Sequence, residues 1–379
     1  MYVPGLTSPT LFVMLPMVDS VTTLVEKYFA PPDRPLRDLT GEAWKHQPAE
    51  SLDSLIKRGS WHSVATYARE AILNASPTQT NFILTHWLLR LHSLLRLHLP
   101  RLFATELSSL FALLPPLLLH PIVPFDLYVL RASIPDLVRR DREGSVEMLV
   151  EVLKAAKAEM WRAGREGREE DRERWRERAE KVGMVIIGIL GEMKAFPSSS
   201  NLLSPPSPSP ILSTLLSKLH LSTGDLASFA RSSDLLALTS PKEDKRMRAL
   251  EKVARGDWKA AEAEWRELVR EDETDLKVSH VNTIIWRKET DVWLKAINNL
   301  AVVLLFSEKL DEAIALLQTL VLPSPTSTAP IEEPIIFNLA TLKELRTDMA
   351  MAEKVALLRT VVERDGGEAL RGSCFKLVV

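Results

Sequence analysis

Apolar residues recur at every third or fourth position along most of this chain, which is the spacing of one buried face on an α-helix. In the segment 124–163, for example, Leu127, Leu130 and Ile134 follow this spacing. No run of residues alternates convincingly between apolar and polar with the period of two that marks a β-strand. The pattern therefore predicts an all-α protein with essentially no sheet.

A short turn signature separates several of the predicted helices. A turn residue is followed two positions later by a bulky apolar residue in Gly59-Ser60-Trp61, Gly224-Asp225-Leu226, Gly256-Asp257-Trp258 and Glu308-Lys309-Leu310. A period in the low thirties, such as the spacing from Gly224 to Gly256, is typical of tetratricopeptide (TPR) repeats. Helical hairpins of this kind bury their apolar faces by stacking on their neighbours. The sequence thus predicts a TPR-like α-solenoid, an architecture that usually holds other proteins.

The predicted solenoid covers residues 49–379 as a single domain. Residues 1–48 contain seven prolines, and we expect a loosely ordered leader there with one short helix near 18–29. Residues 197–210 contain five prolines, which prevents a regular helix and predicts an exposed Ser/Pro loop. The segment 333–379 is expected to close the stack with capping helices.

The charge balance gives no argument for a nucleic-acid partner. Lysine and arginine together number 48, and aspartate and glutamate number 50. Nucleic-acid binding calls for a clustered basic surface instead. The mixed-sign run at 162–178 is interpreted as a solvated helix start, with a charged docking face as the alternative.

The apolar segments are too interrupted to predict a membrane protein. The longest one, at 82–119, contains charged residues at intervals, so it lacks the ~20 apolar residues of a membrane helix. The apolar stretch at 11–18 is interrupted by Pro16 and follows no basic segment, so we expect no secretory signal. A single cysteine, Cys374, fits a reducing compartment. The chain is therefore expected to be soluble and cytosolic.

Candidate chemistry is sparse. No Gly-rich loop between a strand and a helix supports a phosphate or dinucleotide site. His86, His92 and His98 are six residues apart, so on a helix their side chains diverge instead of converging on a metal. Cys374 has no base near it in the sequence, and Trp265 is expected in the core. We therefore expect no catalysis and no cofactor.

The C-terminal block contains an apolar-Phe-Asn-Leu-x-Thr entry, a Glu-Leu pair and a Cys-x-Lys-Leu exit. These residues are Phe337, Asn338, Leu339, Thr341, Glu344, Leu345, Cys374, Lys376 and Leu377. In these features the chain resembles the family of TRAPP (transport protein particle) complex subunit 12, in a short form without the long N-terminal extension of animal members. The Val123-Pro124-Phe125 helix entry resembles the same family, and the resemblance covers roughly residues 35–379.

The resemblance implies a non-catalytic scaffold or adaptor subunit of a large tethering complex. That complex acts as a nucleotide-exchange factor for Rab-family GTPases in ER-to-Golgi transport and autophagy, and the exchange chemistry belongs to other subunits. The implied partners are other TRAPP subunits, above all the large subunit 11, with an indirect link to a Rab GTPase. Neither nucleic-acid binding nor direct membrane insertion is implied. The implied location is cytoplasmic, with peripheral association to Golgi and ER-Golgi intermediate membranes through the complex.

The candidate partner-binding residues are Phe337, Asn338, Phe375 and Leu377. The apolar tail that holds the last two either folds back on the capping helices, which we favour, or docks into a partner. On the first capping helix we expect Phe337, Leu339, Leu342 and Leu345 to pack inward, and Lys343, Glu344 and Arg346 to face water.

Two other classes of function compete with the TRAPP adaptor. A generic TPR cochaperone or assembly-factor adaptor is the main alternative, and the absence of a converging set of cations near Asn298-Asn299 disfavours it. An enzyme carrying a helical solenoid is disfavoured by the sparse candidate chemistry.

Overall fold

The computed structural model describes residues 3–42, 52–194, 210–278, 283–322, 331–365 and 367–378. Every regular element in these ranges is a helix, so the all-α prediction is confirmed. The α-helices are α1 (Ser20–Tyr28), α2 (Leu52–Arg58), α3 (Trp61–Asn74), α4 (Thr80–Arg96), α5 (Pro100–Leu113), α6 (Phe125–Ala132), α7 (Ile134–Arg139), α8 (Arg142–Arg165), α9 (Glu169–Glu192), α10 (Pro210–Thr223), α11 (Leu226–Thr239), α12 (Pro241–Ala254), α13 (Trp258–Val278), α14 (Thr283–Phe306), α15 (Leu310–Val321), α16 (Glu333–Arg346) and α17 (Ala350–Asp365). The expected Ser/Pro loop at 197–210 lies outside the described residues, except for Pro210 at the start of α10.

The four predicted hairpin turns share one backbone geometry. Their turn residues all have left-handed φ angles, at Gly59 (78°), Gly224 (75°), Gly256 (76°) and Glu308 (64°). In the third turn, the N–H of Asp257 donates to the carbonyl of Lys252 at 2.9 Å, and the N–H of Gly256 donates to the carbonyl of Val253 at 3.0 Å. This pair of hydrogen bonds is the Schellman motif that ends many helices. The same pair occurs at the other three turns, so the turn prediction is confirmed at all four places.

A fifth turn of this kind joins α8 to α9, where the sequence predicted only a charged helix start. Gly167 has a φ of 69°, and the N–H of Arg168 donates to the carbonyl of Ala163 at 2.9 Å. The two helices pack along each other, and Ala156 on α8 and Val182 on α9 are fully buried. Gly167 ends α8 and precedes α9, and the many charged residues around it made this helix boundary hard to recognise in the sequence.

The chain divides into two compact units, where the sequence predicted a leader and one solenoid. The first unit contains residues 1–13, 69–92 and 99–248. Within it, α10 and α11 pack together, and the hydroxyl groups of Ser217 and Ser232 are hydrogen-bonded at 2.9 Å. Ile187 on α9 and Leu219 on α10 belong to one buried cluster.

The N-terminal residues of the first unit are fixed by a buried polar contact. The ring of Phe12 stacks on Trp87 with 4.5 Å between centroids. Next to it, Arg90 and Glu106 form an ion pair with a closest N–O distance of 2.6 Å. Arg90 also donates to the carbonyl of Val13 at 2.9 Å, and the N–H of Val13 donates to Glu106 at 2.9 Å. The expectation of a loose leader is therefore corrected for this segment, because it pairs with helices that are distant in sequence.

The second unit contains residues 14–68, 93–98 and 249–379. Consecutive helices from α13 to α17 pack against each other. Trp265 is 2% exposed in their core, as predicted. The short helix expected near 18–29 is α1, and its Val21 and Leu24 are fully buried in the same core. This part of the leader is thus an integral element of the second unit.

No helix in the described ranges has both the length and the apolar character that are needed to cross a lipid bilayer.

Candidate docking surface at the C-terminal helices

Helix α16 has one buried face and one exposed stripe. Leu339 is fully buried and Leu342 is 4% exposed, and both lie in the core of the second unit, as predicted. The predicted inward packing of Phe337 and Leu345 is wrong, since these side chains are 48% and 59% exposed. Successive helix residues turn by about 100°, so Phe337 lies on the side of the helix away from Leu339. The outward-facing residues Phe337, Thr341, Glu344 and Leu345 are called the α16 stripe below.

The C-terminal tail is part of the core. Phe375 is fully buried and Leu377 is 5% exposed, and both belong to the main apolar cluster of the second unit. Their assignment as partner-binding residues is corrected, because a buried side chain has no surface left for a partner. The fold-back interpretation of the tail agrees with this placement.

Helix α1 holds the tail in place. The N–H of Gly372 donates to the hydroxyl of Ser20 at 2.8 Å. A Cβ atom at this glycine would lie 3.0 Å from the carbonyl oxygen of Ser20 and 3.1 Å from Leu24, so the close approach favours glycine. At the far end, Lys27 and Tyr28 both donate to the carbonyl of residue 378 at 3.1 Å. These contacts explain why the tail docks beside α1.

Lys376 links the tail to the α16 stripe. Its ammonium group donates to the hydroxyl of Thr341 at 3.3 Å and pairs with Glu344. It also lies 5.5 Å from the centroid of the Phe337 ring. The carbonyl of Lys376 accepts a hydrogen bond from Lys354 at 2.9 Å. We call Phe337, Thr341, Glu344 and Lys376 the C-terminal cluster.

Carboxylates on this surface are held in their charged form. Hydrogen bonds from Lys354 and then Lys376 lower the pKa of Glu344 below its ordinary value. On α17, hydrogen bonds from Arg346 and Lys343 lower the pKa of Glu353 in the same way. These ion pairs join α16 to α17 along their length.

Lys343 differs from the prediction that it faces water. Its side chain is buried on the inner side of α16, and its ammonium group reaches Glu353 at 2.8 Å. Glu344 and Arg346 are exposed, as predicted. A lysine can bury its aliphatic stem in this way while its charged end finds a partner.

The side chain of Asn338 links two helices of the second unit. Its side-chain amide donates to the side-chain oxygen of Asn298 at 2.8 Å, which joins α16 to α14. Of the four residues predicted to bind a partner, Phe337 is the one whose side chain is largely exposed. The contact also gives Asn298 a structural role that its sequence context left open.

Cys374 lies in the buried part of the tail. Burial raises the pKa of its thiol to about 12, and the negative charge of Glu333 adds to the shift. The thiol is therefore protonated at neutral pH, whereas the thiolate is the reactive form of cysteine.

A small cavity of about 160 Å³ lies in the same unit, and nothing in the sequence predicted it. His98 contacts Glu333 at 3.3 Å on one wall, and the backbone N–H of His62 donates to Glu368 at 2.8 Å on another. These side chains come from segments far apart in sequence, so no local sequence motif could predict the cavity. Since they pair with each other, the cavity is a polar junction of the unit. Within the described ranges, no group of three His, Cys, Asp or Glu residues is placed to hold a metal ion.

Comparison of the chain with protein-family models gives no match, and comparison with curated proteins gives none either. Fold and surface together define an all-α protein of helical hairpins with an exposed stripe beside an ordered C-terminal tail.

Proposed function

We propose that this protein is a non-catalytic scaffold whose hairpins stack as a TPR-like α-solenoid. More specifically, it acts as an adaptor subunit of a TRAPP tethering complex in ER-to-Golgi transport and autophagy. Within that complex its neighbour is the large subunit 11, and its link to a Rab GTPase is indirect. It is cytoplasmic and reaches Golgi membranes through the complex, with no nucleic-acid partner and no direct membrane insertion.

The observation that carries this proposal is the C-terminal cluster. The residues that resemble the TRAPP family come from two separate segments, and Glu344 and Lys376 are 32 positions apart. In the folded chain, Lys376 contacts Phe337, Thr341 and Glu344. The cluster thus gathers residues from both of these segments on one surface, and this placement supports a shared role in binding a partner.

The backbone at Lys376 adds to this argument. Its φ of 51° places it in the left-handed region, which costs a non-glycine residue roughly 1–2 kcal/mol. The contacts of Lys376 with the α16 stripe and with Lys354 offset that cost.

Exposed apolar side chains near the cluster support a docking role. Phe337 and Leu345 are accompanied by Met349 and Met351 at the start of α17, which are 69% and 48% exposed. Exposed apolar side chains commonly occur in protein-binding sites. Flexible methionine side chains adapt easily to a partner surface.

The test is reconstitution with TRAPP subunits. The full chain, carrying an affinity tag, is co-expressed with subunit 11 and the small core subunits, and equimolar co-purification is expected. Phe337→Asp should abolish this recovery while the protein melts normally. The matched control is Leu238→Asp, because Leu238 is an 85% exposed residue of the first unit. Recovery of chaperones without any TRAPP subunit would favour the cochaperone alternative, and loss of recovery in the control would remove the support for this site.

The non-catalytic part of the proposal has its own test. The purified chain is mixed with Rab GTPases loaded with fluorescent GDP, and the rate of GDP release is measured. We expect the intrinsic rate in the absence of the core subunits. Accelerated release at stoichiometric amounts would overturn the adaptor proposal.

A further inference from the structure

A groove of about 870 Å³ runs across the surface of the first unit. One side is formed by the end of α8 and the start of α9, on either side of the turn at Gly167. The other side is formed by 117–125, which connects α5 to α6, and by Asn81 and Thr85 of α4.

The connecting segment is held in a fixed conformation. The hydroxyl of Tyr128 on α6 donates to the carbonyl of Leu117 at 3.1 Å and accepts the N–H of His120 at 2.9 Å. Tyr128 is itself 4% exposed. This wall of the groove therefore exists before any ligand binds.

Positive charge exceeds negative charge along the groove. Its lining contains Arg162, Arg168, Arg174 and Arg178 against Glu159 and Asp171. Arg162 pairs with Glu159 at 2.9 Å, and Arg168 and Arg174 share Asp171. Arg168 also pairs with Glu166 at 2.6 Å, so these four arginines face three carboxylates. Within the described part of the chain, Arg178 has no carboxylate within ion-pair distance. The groove thus has an excess of cationic groups over the acids that neutralise them.

Arg178 is held by aromatic rings instead of by an acid. Its guanidinium carbon lies 4.5 Å from the centroid of Trp175 and 5.5 Å from the centroid of Phe125. The two rings meet edge to face at 6.1 Å. A guanidinium group stacked on a ring keeps its in-plane N–H donors available, and these match the two oxygens of a carboxylate.

Exposed apolar side chains lie in the same groove. Leu117 and Leu118 are 63% and 44% exposed, and both belong to its lining. The groove therefore combines exposed apolar side chains with an excess of arginine. Ion pairs that only face water would need no apolar side chains beside them.

We propose that this groove binds an acidic peptide segment of a partner protein, anchored by apolar side chains on Leu117 and Leu118. Aspartate or glutamate side chains of the segment pair with Arg178 and with the arginines that share Asp171. A nucleic acid fits less well, because Leu117 and Leu118 offer its bases no aromatic surface to stack on. The inference concerns the first unit and does not depend on the TRAPP assignment.

The experiment measures binding of a fluorescein-labelled 12-residue peptide to the full chain by fluorescence anisotropy. The probe alternates Asp and Glu with two leucines and one phenylalanine. One control peptide carries lysine at every acidic position, and a second carries serine at every apolar position. We expect the probe to bind at least fivefold more tightly than either control peptide, and its affinity to fall as salt is raised.

Substitutions locate the binding site. Arg178→Ala is expected to weaken probe binding at least fivefold. Arg172→Ala is the matched control, since Arg172 is an exposed arginine of α9 that pairs with Glu169 at 3.1 Å and does not line the groove. Its effect should stay within twofold. Leu117→Asp, which alters an exposed side chain and no ion pair, should weaken binding at least as much as Arg178→Ala.

Several results would overturn the proposal. The first is probe binding that is no tighter than binding of the lysine peptide. The second is equal binding by the Arg178→Ala and Arg172→Ala variants, each with a normal circular dichroism melt. The third is a single-stranded oligonucleotide that binds more tightly than the probe and loses its affinity with Arg178→Ala, since this would identify a nucleic-acid site.

Discussion

Replacing Glu106 by glutamine tests the buried ion pair that fixes the N-terminal residues of the first unit. Arg90 is 1% exposed and Glu106 is fully buried. The carboxylate of Glu106 accepts hydrogen bonds from two guanidinium nitrogens of Arg90 at 2.8 and 2.6 Å and from the N–H of Val13 at 2.9 Å. Glutamine keeps the shape of the side chain but removes its negative charge. The guanidinium group of Arg90 then loses the carboxylate with which it pairs.

The expected effect is large. Neutralising one partner of a buried ion pair costs ~3–5 kcal/mol of unfolding free energy. Each kcal/mol lowers Tm by roughly 2–4 °C in a medium-sized domain, so the melting of the first unit should fall by roughly 6–20 °C. The amide of glutamine has one acceptor oxygen for the three donors that Glu106 accepts, so the segment that contains Phe12 should open more often.

Circular dichroism melting and limited thermolysin digestion measure the two effects, and cleavage next to Phe12 should accelerate in the Glu106→Gln variant. The matched control is Glu192→Gln, which breaks an exposed pair with Arg142 in the same unit (2.6 Å). Exposed pairs contribute ~0–1 kcal/mol, so this control should melt almost normally.

The double variant Arg90→Met with Glu106→Leu removes both charges together. It should recover part of the lost stability, because apolar replacement of a whole buried pair is often neutral or stabilising. Recovery is not complete, since the N–H and the carbonyl of Val13 lose these partners. An unchanged Tm in Glu106→Gln would refute the reasoning, since it would mean that water reaches this pair. A double variant less stable than the single one would also refute it, because packing would then outweigh the charge.

Three further predictions concern the second unit. Trp265→Ala should lower the unfolding free energy by ~3–5 kcal/mol. Trp265→Phe should cost much less, since the indole N–H is buried without a partner among the described residues. Equal melting of both variants would contradict this. Deleting residues 368–379 should lower Tm first and partner binding with it, because Phe375 and Leu377 are core residues, and normal melting of the truncated chain would contradict this. The pKa of Glu344 is lowered from its ordinary value of 4.5 by hydrogen bonds from Lys354 and Lys376, so its stabilising effect is complete above that value and is lost as pH falls through the lower folded pKa. Urea unfolding should therefore show a deficit of up to ~1 kcal/mol for Glu344→Gln at pH 7 that disappears in acid, and a deficit independent of pH would contradict the assignment.

The hairpin turns could be predicted from the sequence because their cause is local. A residue that ends a helix in the left-handed conformation is usually glycine, and Gly59, Gly224 and Gly256 are all used in this way. Gly167 follows the same rule, but the charged residues around it carry no apolar periodicity that would separate α8 from α9. The turn was missed because the residues on both sides of Gly167 show no apolar periodicity, although the glycine itself is a strong signal for the end of a helix.

The order of the N-terminal residues could not be predicted, since its causes are distant in sequence. Val13 meets Glu106 across 93 positions, and Gly372 meets Ser20 across 352. The proline-rich composition indicates only that this segment is costly to order. It does not indicate the hydrogen-bond partners that the segment finds once the chain has folded.

The orientation of α16 could be predicted only in part. Apolar residues occur nearly all round this helix, with Ile335, Ile336 and Leu339 on one side and Phe337 and Leu345 on the other. Periodicity cannot assign a buried face when both faces are apolar. The choice is made by packing against α15 and α17, which buries one face and leaves the other exposed.

The two proposed surfaces follow from the same physical argument. A helical hairpin needs only one apolar face to pack on its neighbours, so an apolar side chain on the other face contributes nothing to that packing. Phe337 on α16 is of this kind, and Leu117, in the segment that connects α5 to α6, is likewise an exposed apolar side chain. Each lies in a surface that also presents a positively charged side chain, Lys376 in one case and Arg178 in the other. Lys376 is already paired with Glu344, so the α16 stripe offers a partner mainly its apolar side chains. Arg178 has no carboxylate within ion-pair distance in the described part of the chain, so the groove favours a segment that combines apolar and acidic residues. The lysine-substituted peptide should therefore be rejected by the groove.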